Sequence, residues 1–248
     1  MKKIIVLALL FCITNVQAKE IYATFTVHAK QRADLAFNYS GIVKTLHVDI
    51  MSVVKKNEIL ATLASDDLIA TNNASKVTLK YAHLDYERHQ DLYKKKLIDI
   101  ALLDKYAMAY EAIKAKIELE KTIYDKTILR APFDGVITKR MIELGDVVSG
   151  QMIKTAFNIQ SEHARILVVE FDQKYNSDVN IGDTFLYKVD GDDNQYTGKI
   201  YRIYPEANSD NRKIALQVIA RDLKVGLFGE GKIITVDDRR NSVTESQE

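Results

Sequence analysis

Five histidines, two adjacent aspartates and a scatter of methionines carry the most obvious chemistry in this 248-residue sequence, and their spacing limits what they can do. Zinc needs three or four convergent donors, whereas His28, His47, His83, His89 and His163 are spread along the chain. The closest pair stands six apart on a predicted helix, on different faces. Asp66 and Asp67 could serve as general acids in a cleft, but they open a predicted helix, where carboxylates favour the positive end of the dipole. Met51, Met108, Met141 and Met152 are too dispersed for a metal cluster and read as filler. Gly229-Glu230-Gly231 precedes a predicted strand rather than a helix, so it does not form a phosphate loop. These residues offer no catalytic, cofactor or metal site, and a non-enzymatic role is expected. With 35 Lys+Arg against 34 Asp+Glu there is no whole-molecule field for a nucleic-acid backbone, so no nucleic-acid partner is expected.

The elements that must position any working surface are easier to read. Residues 42 to 131 contain neither glycine nor proline, which suggests long helices. From Asp66 to Lys126, apolar or aromatic side chains recur at Ala70, Ala74, Val77, Tyr81 and Leu84, then at Leu103, Tyr106, Tyr110, Ile113, Ile117 and Tyr124, with Glu120 breaking the second seam. The spacings alternate three and four, the periodicity of a coiled coil. An interruption from Lys94 to Asp99 predicts two helices of about 28 to 30 residues in an antiparallel hairpin about 40 to 45 Å long.

The segments flanking this hairpin repeat each other. Gly41 to Ile59 aligns without gaps on Gly135 to Ile153 at an offset of 94 residues, matching Gly41 with Gly135, Val43 with Ile137, Asp49 with Glu143, Val53 with Val147 and Ile59 with Ile153. Both copies are rich in β-branched residues, and Gly145-Asp146 and Ser149-Gly150 mark turns in the second. One copy is too short to bury both faces of its strands, so the two are expected to pack on each other as a small β-sandwich. Beyond Ser161, strands are predicted at Ile166 to Glu170, Thr184 to Val189, Thr197 to Tyr204, Ile214 to Ile219 and Lys232 to Val236, enough for a small antiparallel barrel.

This arrangement resembles the periplasmic adaptor subunits of tripartite efflux pumps, the membrane fusion proteins of hemolysin-D type. The most specific element is Leu129-Arg130-Ala131-Pro132-Phe133-Asp134-Gly135, which in that family marks the return from the hairpin into the second lipoyl-like half-motif. Pro132 stops a helix and Asp134-Gly135 supplies a turn. Tyr39-Ser40-Gly41-Ile42-Val43 is similar to the start of the first half-motif. Met51 and Asn57 stand where glycines are usual in the family, so the first turn is expected to differ in shape. The fold implied is mixed α and β: a long antiparallel α-helical coiled-coil hairpin inserted in a split lipoyl-like β-sandwich, followed by a small antiparallel β-barrel. Its parts are a signal peptide (1–18), N-terminal strands and first half-motif (19–65), hairpin (66–126), second half-motif (127–160), barrel (161–237) and polar tail (238–248).

The resemblance also implies partners: an inner-membrane transporter, an outer-membrane channel protein, and further copies of the chain in a ring. At the hairpin end, family members often carry an arginine, a leucine four residues on and a serine seven after that, which meet the outer-membrane channel. Arg88 and Leu92 match, and Asp99 replaces the serine while keeping its capacity to cap the second helix. Leu97 and Ile98 add apolar groups to that end. The transporter implied is of the resistance-nodulation-division class. An ATP-driven exporter, a type I secretion-like system, or a structural periplasmic coiled-coil protein are the alternatives. A lipoyl or biotinyl carrier is disfavoured, because about sixty helical residues replace its lysine-bearing hairpin. Lys2 and Lys3, the apolar run Ile4 to Ile13 and the exit Val16-Gln17-Ala18 predict a signal peptide cleaved after Ala18 and a periplasmic location. Phe11 is not the small residue that lipidation at Cys12 would need.

Overall fold

The computed structural model describes residues 19–235. The expected signal peptide and polar tail lie outside these described residues. In chain order the elements are β1 (Lys19–Ala29), β2 (Arg32–Leu35), β3 (Gly41–Leu46), β4 (Val53–Val54), β5 (Ile59–Leu63), α1 (Asp66–Lys94), α2 (Ile100–Asp125), β6 (Ile128–Arg130), β7 (Gly135–Arg140), β8 (Val147–Val148), β9 (Phe157–Gln160), β10 (Ala164–Asp172), β11 (Thr184–Val189), β12 (Gln195–Asn208), β13 (Lys213–Arg221) and β14 (Phe228–Thr235). They divide into two compact units, one of residues 31–162 and one drawn from the chain on either side of it.

In the 31–162 unit, two four-stranded sheets, β2-β9-β7-β4 and β6-β5-β3-β8, share a core that includes Leu60, Leu63, Ile137, Phe157 and Ile159. Each of these five is fully buried, worth about 1.5–3 kcal/mol apiece. The sequence repeat explains the pairing. β3 pairs with β8 through Gly41 opposite Val148 and Ile42 opposite Val147, while β7 pairs with β4 through Gly135 opposite Val54 and Val136 opposite Val53. Each copy therefore lends its second strand to the other's first. The hydrogen bonds repeat at the same offset of 94: Val43 N–H donates to Asp146 O as Ile137 N–H donates to Ser52 O. The matched acids Asp49 and Glu143 both accept from Arg140, at 3.0 and 2.6 Å. The Ile50 N–H and this guanidinium hold the Asp49 carboxyl below the usual aspartate range.

Three expectations change here. Met51 does adopt the left-handed backbone, at φ 69° against 87° for Gly145, and Asn57 does so at 68°. The two turns share one hydrogen-bond pattern, Met51 N–H to Ile137 O matching Gly145 N–H to Val43 O, so the first turn keeps its shape at a cost in strain. Ile59 and Ile153 do not correspond: Ile59 starts β5, whereas Ile153 is 68% exposed before β9. Ala61 faces Leu46 as Phe157 faces Arg140, which moves the offset to 96 and places a two-residue insertion in the second copy. Gly135 is the first residue of β7 and not part of a turn; its glycine is required because a Cβ there would collide with the Gln160 carbonyl oxygen.

α1 and α2 pack side by side with opposite chain directions, Ser75 meeting Glu120 near one end and His89 stacking on Tyr106 near the other. The second predicted seam faces α1: Leu103, Tyr106, Tyr110, Ile113, Ile117 and Tyr124 are half-buried. The first lies outside the seam, its Val77 and Tyr81 lining a groove beside α2 with Tyr106 and Ala109. Val77 and Tyr81 are 57% and 58% exposed, and the face toward α2 carries Leu68, Asn72, Ser75, Leu79, Tyr86 and His89. The reason is chemical matching. Glu120 on α2 takes hydrogen bonds from Ser75 and Asn72, and the Tyr106 and Tyr110 rings stack on His89 and Tyr86.

The other unit is a closed six-stranded barrel in the order β1-β10-β13-β12-β11-β14. Five strands are those predicted after Ser161. The sixth is β1, expected to accompany the first half-motif, whose Ile21, Ala23, Phe25 and Val27 alternate into the barrel core. Gly229 and Gly231 lie within β14 and leave room for the rings of Phe25 and Phe185, which meet edge to face at 5.8 Å. That packing is the use of the Gly229-Glu230-Gly231 motif.

Candidate docking tip and its support

The motif Leu129 to Gly135 acts as a clamp on the turn between β4 and β5. Arg130 Nη1 donates to Asn57 O at 3.0 Å. Ala131, 1% exposed, exchanges backbone hydrogen bonds with Asn57 and Glu58, and Asp134 Oδ1 accepts from Lys56 N–H at 2.7 Å. Pro132 opens a bend over residues 132–134, and Phe133 packs partly buried against the core. Gly41 does a smaller version of the work of Gly135, since a Cβ there would press on the Leu63 side chain at 3.3 Å. These residues fix where α1 leaves and α2 returns: Leu63 N–H donates to Thr127 O at 2.9 Å, closing the base of the helical pair.

At the far end, α1 finishes in a Schellman arrangement. Leu97 N–H reaches back to Leu92 O at 3.0 Å and Lys96 N–H to Tyr93 O at 2.8 Å, with Lys96 in the left-handed region at φ 59°. Asp99 then caps α2, its Oδ1 accepting from Leu102 N–H at 2.9 Å. The turn gathers Leu92, Leu97, Ile98 and Asp99. Leu97 is 67% exposed and Ile98 half-buried. Arg88 is not gathered with them; it points back along α1, Nη2 to Asp85 Oδ1 at 3.1 Å and Nε to Leu84 O at 3.2 Å. An exposed pair three residues apart contributes only about 0.2–0.5 kcal/mol, so Arg88 can leave it for a partner at small cost.

Two features of this tip go beyond the residues expected there. Lys94, Lys95 and Lys96 are consecutive and exposed, and Ile100 is 51% exposed beside them. The run of three lysines at the predicted helix break was the available signal. The tip thus presents Leu97 and Ile100 beside three exposed lysines, of which Lys94 pairs with Asp91 at 3.3 Å.

Residues 31–159 match the family described as CzcB-like, barrel-sandwich hybrid domain. The chain is 29% identical over 128 residues to the cobalt-zinc-cadmium resistance protein CzcB of Cupriavidus metallidurans, an alignment covering 44% of this chain and 24% of that protein. It thus spans about a quarter of the length of that relative. Among solved structures, a MacA-MexA chimeric protein containing the Pseudomonas aeruginosa MexA alpha-hairpin domain superposes with TM-score 0.81 at 19% identity, over 89% of this chain and 80% of that one. A putative efflux transporter from Bacteroides eggerthii superposes with TM-score 0.70 at 21% identity, over 90% and 70% of the two chains. Both are likenesses of fold. The matched stretch takes in both half-motifs, the clamp and the helical pair between them, and the chain belongs to the CzcB-like barrel-sandwich hybrid family.

Proposed function

We propose that this chain is a non-enzymatic periplasmic adaptor that links an inner-membrane exporter to an outer-membrane channel for efflux of small molecules, working as a ring of copies. The reading is carried by the helical pair. Helices of 29 and 26 residues leave the body of the 31–162 unit at one clamped point, reach about 40 Å at roughly 1.5 Å per residue, and end in an apolar and cationic turn. Such an arm suits contact at a distance and holds no chemistry of its own. Family membership supports the same role.

In this reading the parts keep the roles given by the resemblance. A cleaved signal peptide exports the chain. The two half-motifs form one lipoyl-like body, and the coiled-coil hairpin is the arm. Arg88, Leu92, Leu97, Ile98 and Asp99 meet the channel, and the lysines at 94–96 favour an acidic channel rim. A transporter of the resistance-nodulation-division class is the partner on family grounds.

The test is export in a strain lacking the chain and redundant pumps, scored as susceptibility to a drug panel and to cobalt, zinc and cadmium salts. Co-purification from cross-linked cells identifies the partners. The wild-type chain should restore resistance and bring down one transporter and one channel. Arg88→Asp should lose both the resistance and the channel while its circular dichroism stays unchanged. Full export by Arg88→Asp together with Leu97→Asp would remove the tip from the docking surface.

A further inference from the structure

Ile21, Ala23, Phe25 and Val27 of β1 fill the barrel, and the alternate residues of that strand floor a trough on the barrel's outer face. Thr24 lies between Glu170 of β10 and Glu230 of β14, and Thr26 between Val168 and Phe228. Short threonines between longer neighbours leave a depression of about 510 Å³, the size of a small-molecule site. Two rings rise beside it. Tyr22 at one end and Phe228 on the β14 side are 60% and 62% exposed.

The charge of this trough is one-sided. Asp190, which follows β11, donates its N–H to Phe228 O at 3.0 Å, so Asp190 and Glu230 stand on the same wall. Neither has a cationic partner among the described residues: Lys188 and Lys232, beside them on β11 and β14, are held by Asp193 at 3.1 Å and Glu20 at 2.6 Å. On the opposite wall Glu170 has Lys213 at 3.7 Å. Glu230 accepts from the Tyr22 hydroxyl at 2.7 Å. That bond above all, with the charges of Glu230 and Asp190, holds the Tyr22 phenol above the usual tyrosine range. Exposed rings beside uncompensated carboxylates attract a cation that carries apolar surface of its own. A bare metal ion does not suit the trough, since no three His, Asp or Glu side chains converge on a metal position among the described residues.

We propose that the trough binds a small organic cation, its protonated amine or quaternary ammonium group against Glu230 and Asp190 beside the Tyr22 and Phe228 rings, and its apolar body along Thr26 and Val168. As a binding site it belongs to the barrel alone. As the class of compound exported, it rests on the adaptor reading.

Calorimetric titration of the purified chain with three matched probes tests it: phenylbutylammonium, the uncharged phenylbutanol and the anion phenylbutyrate. The ammonium should bind at a single site about tenfold tighter than the alcohol, and the anion should not bind. Glu230→Gln combined with Asp190→Asn should erase the preference for ammonium over alcohol. Phe228→Ala should weaken both of these probes. Glutamine at 230 keeps an acceptor for the Tyr22 hydroxyl, and circular dichroism checks the fold. Equal binding of all three probes, or an unchanged ammonium preference in the double variant, would overturn the site. Export separates this outcome from the adaptor reading. If the wild-type chain restores resistance yet binds no ammonium probe, the site falls and the adaptor reading stands. A chain that binds the probe but neither restores resistance nor captures a transporter would keep the site and sink the adaptor reading.

Discussion

At the level of single residues, Met51 departs from the residue its backbone prefers, and Asp99 does not. Met51 holds a left-handed conformation that costs an L-residue about 1–2 kcal/mol. Met51→Gly should therefore raise stability by about 1 kcal/mol, since the gain exceeds the extra unfolded-state freedom of glycine. Chemical denaturation would show it as a higher midpoint at unchanged slope. The misfit of Met51 is legible in the sequence, but the turn keeps its shape. The strain is tolerated because Ser52 and Asp146, Asp49 and Glu143 impose the same hydrogen bonds on both turns. Asp99 was read correctly, because capping depends on one local bond to Leu102 N–H. Asp99→Ser should keep the cap and both fold and export. Asp99→Ala should lose about 0.5–2 kcal/mol, visible as fraying of α2 by hydrogen exchange.

Among the elements, α1 exposes the limit of apolar periodicity as a guide. Ala70, Ala74, Val77, Tyr81 and Leu84 form the more apolar stripe, yet Leu68, Asn72, Ser75, Leu79, Tyr86 and His89 face α2. The deciding signal was on the other helix. Glu120, the break in an otherwise apolar seam, is 12% exposed in its side chain and needs polar partners opposite, which Ser75 and Asn72 supply. A search for polar residues at matching levels would have found the right face. Glu120→Ala should destabilise the pair by about 1–3 kcal/mol, because the buried Ser75 hydroxyl is left without an acceptor. Restoring Ser75→Ala in the same chain should recover part of that loss, and a double-mutant cycle by denaturation measures the coupling. No recovery would mean that Glu120 acts through packing alone.

For the whole molecule, the barrel was legible in its last five strands and not in its first. β1 lies more than 130 residues from β10, and alternation alone cannot name a strand's partner across such a distance. It pairs on both sides, with β10 and with β14. Deleting residues 19–29 should open the barrel and expose two long edges, producing concentration-dependent aggregation by light scattering. The strand exchange between the half-motifs has a consequence for how the chain folds. Neither half can complete its own sheets, so folding of that body waits on joining segments that straddle residues 64–127. Closing a flexible loop of that length is slow and entropically costly. The helical pair can zip from the short turn between Lys94 and Ile100 toward contacts such as Ser75 with Glu120, and once formed it sets Leu63 against Thr127. The helical pair is then also a folding device: it shortens the search between the two halves from a long loop to a single turn.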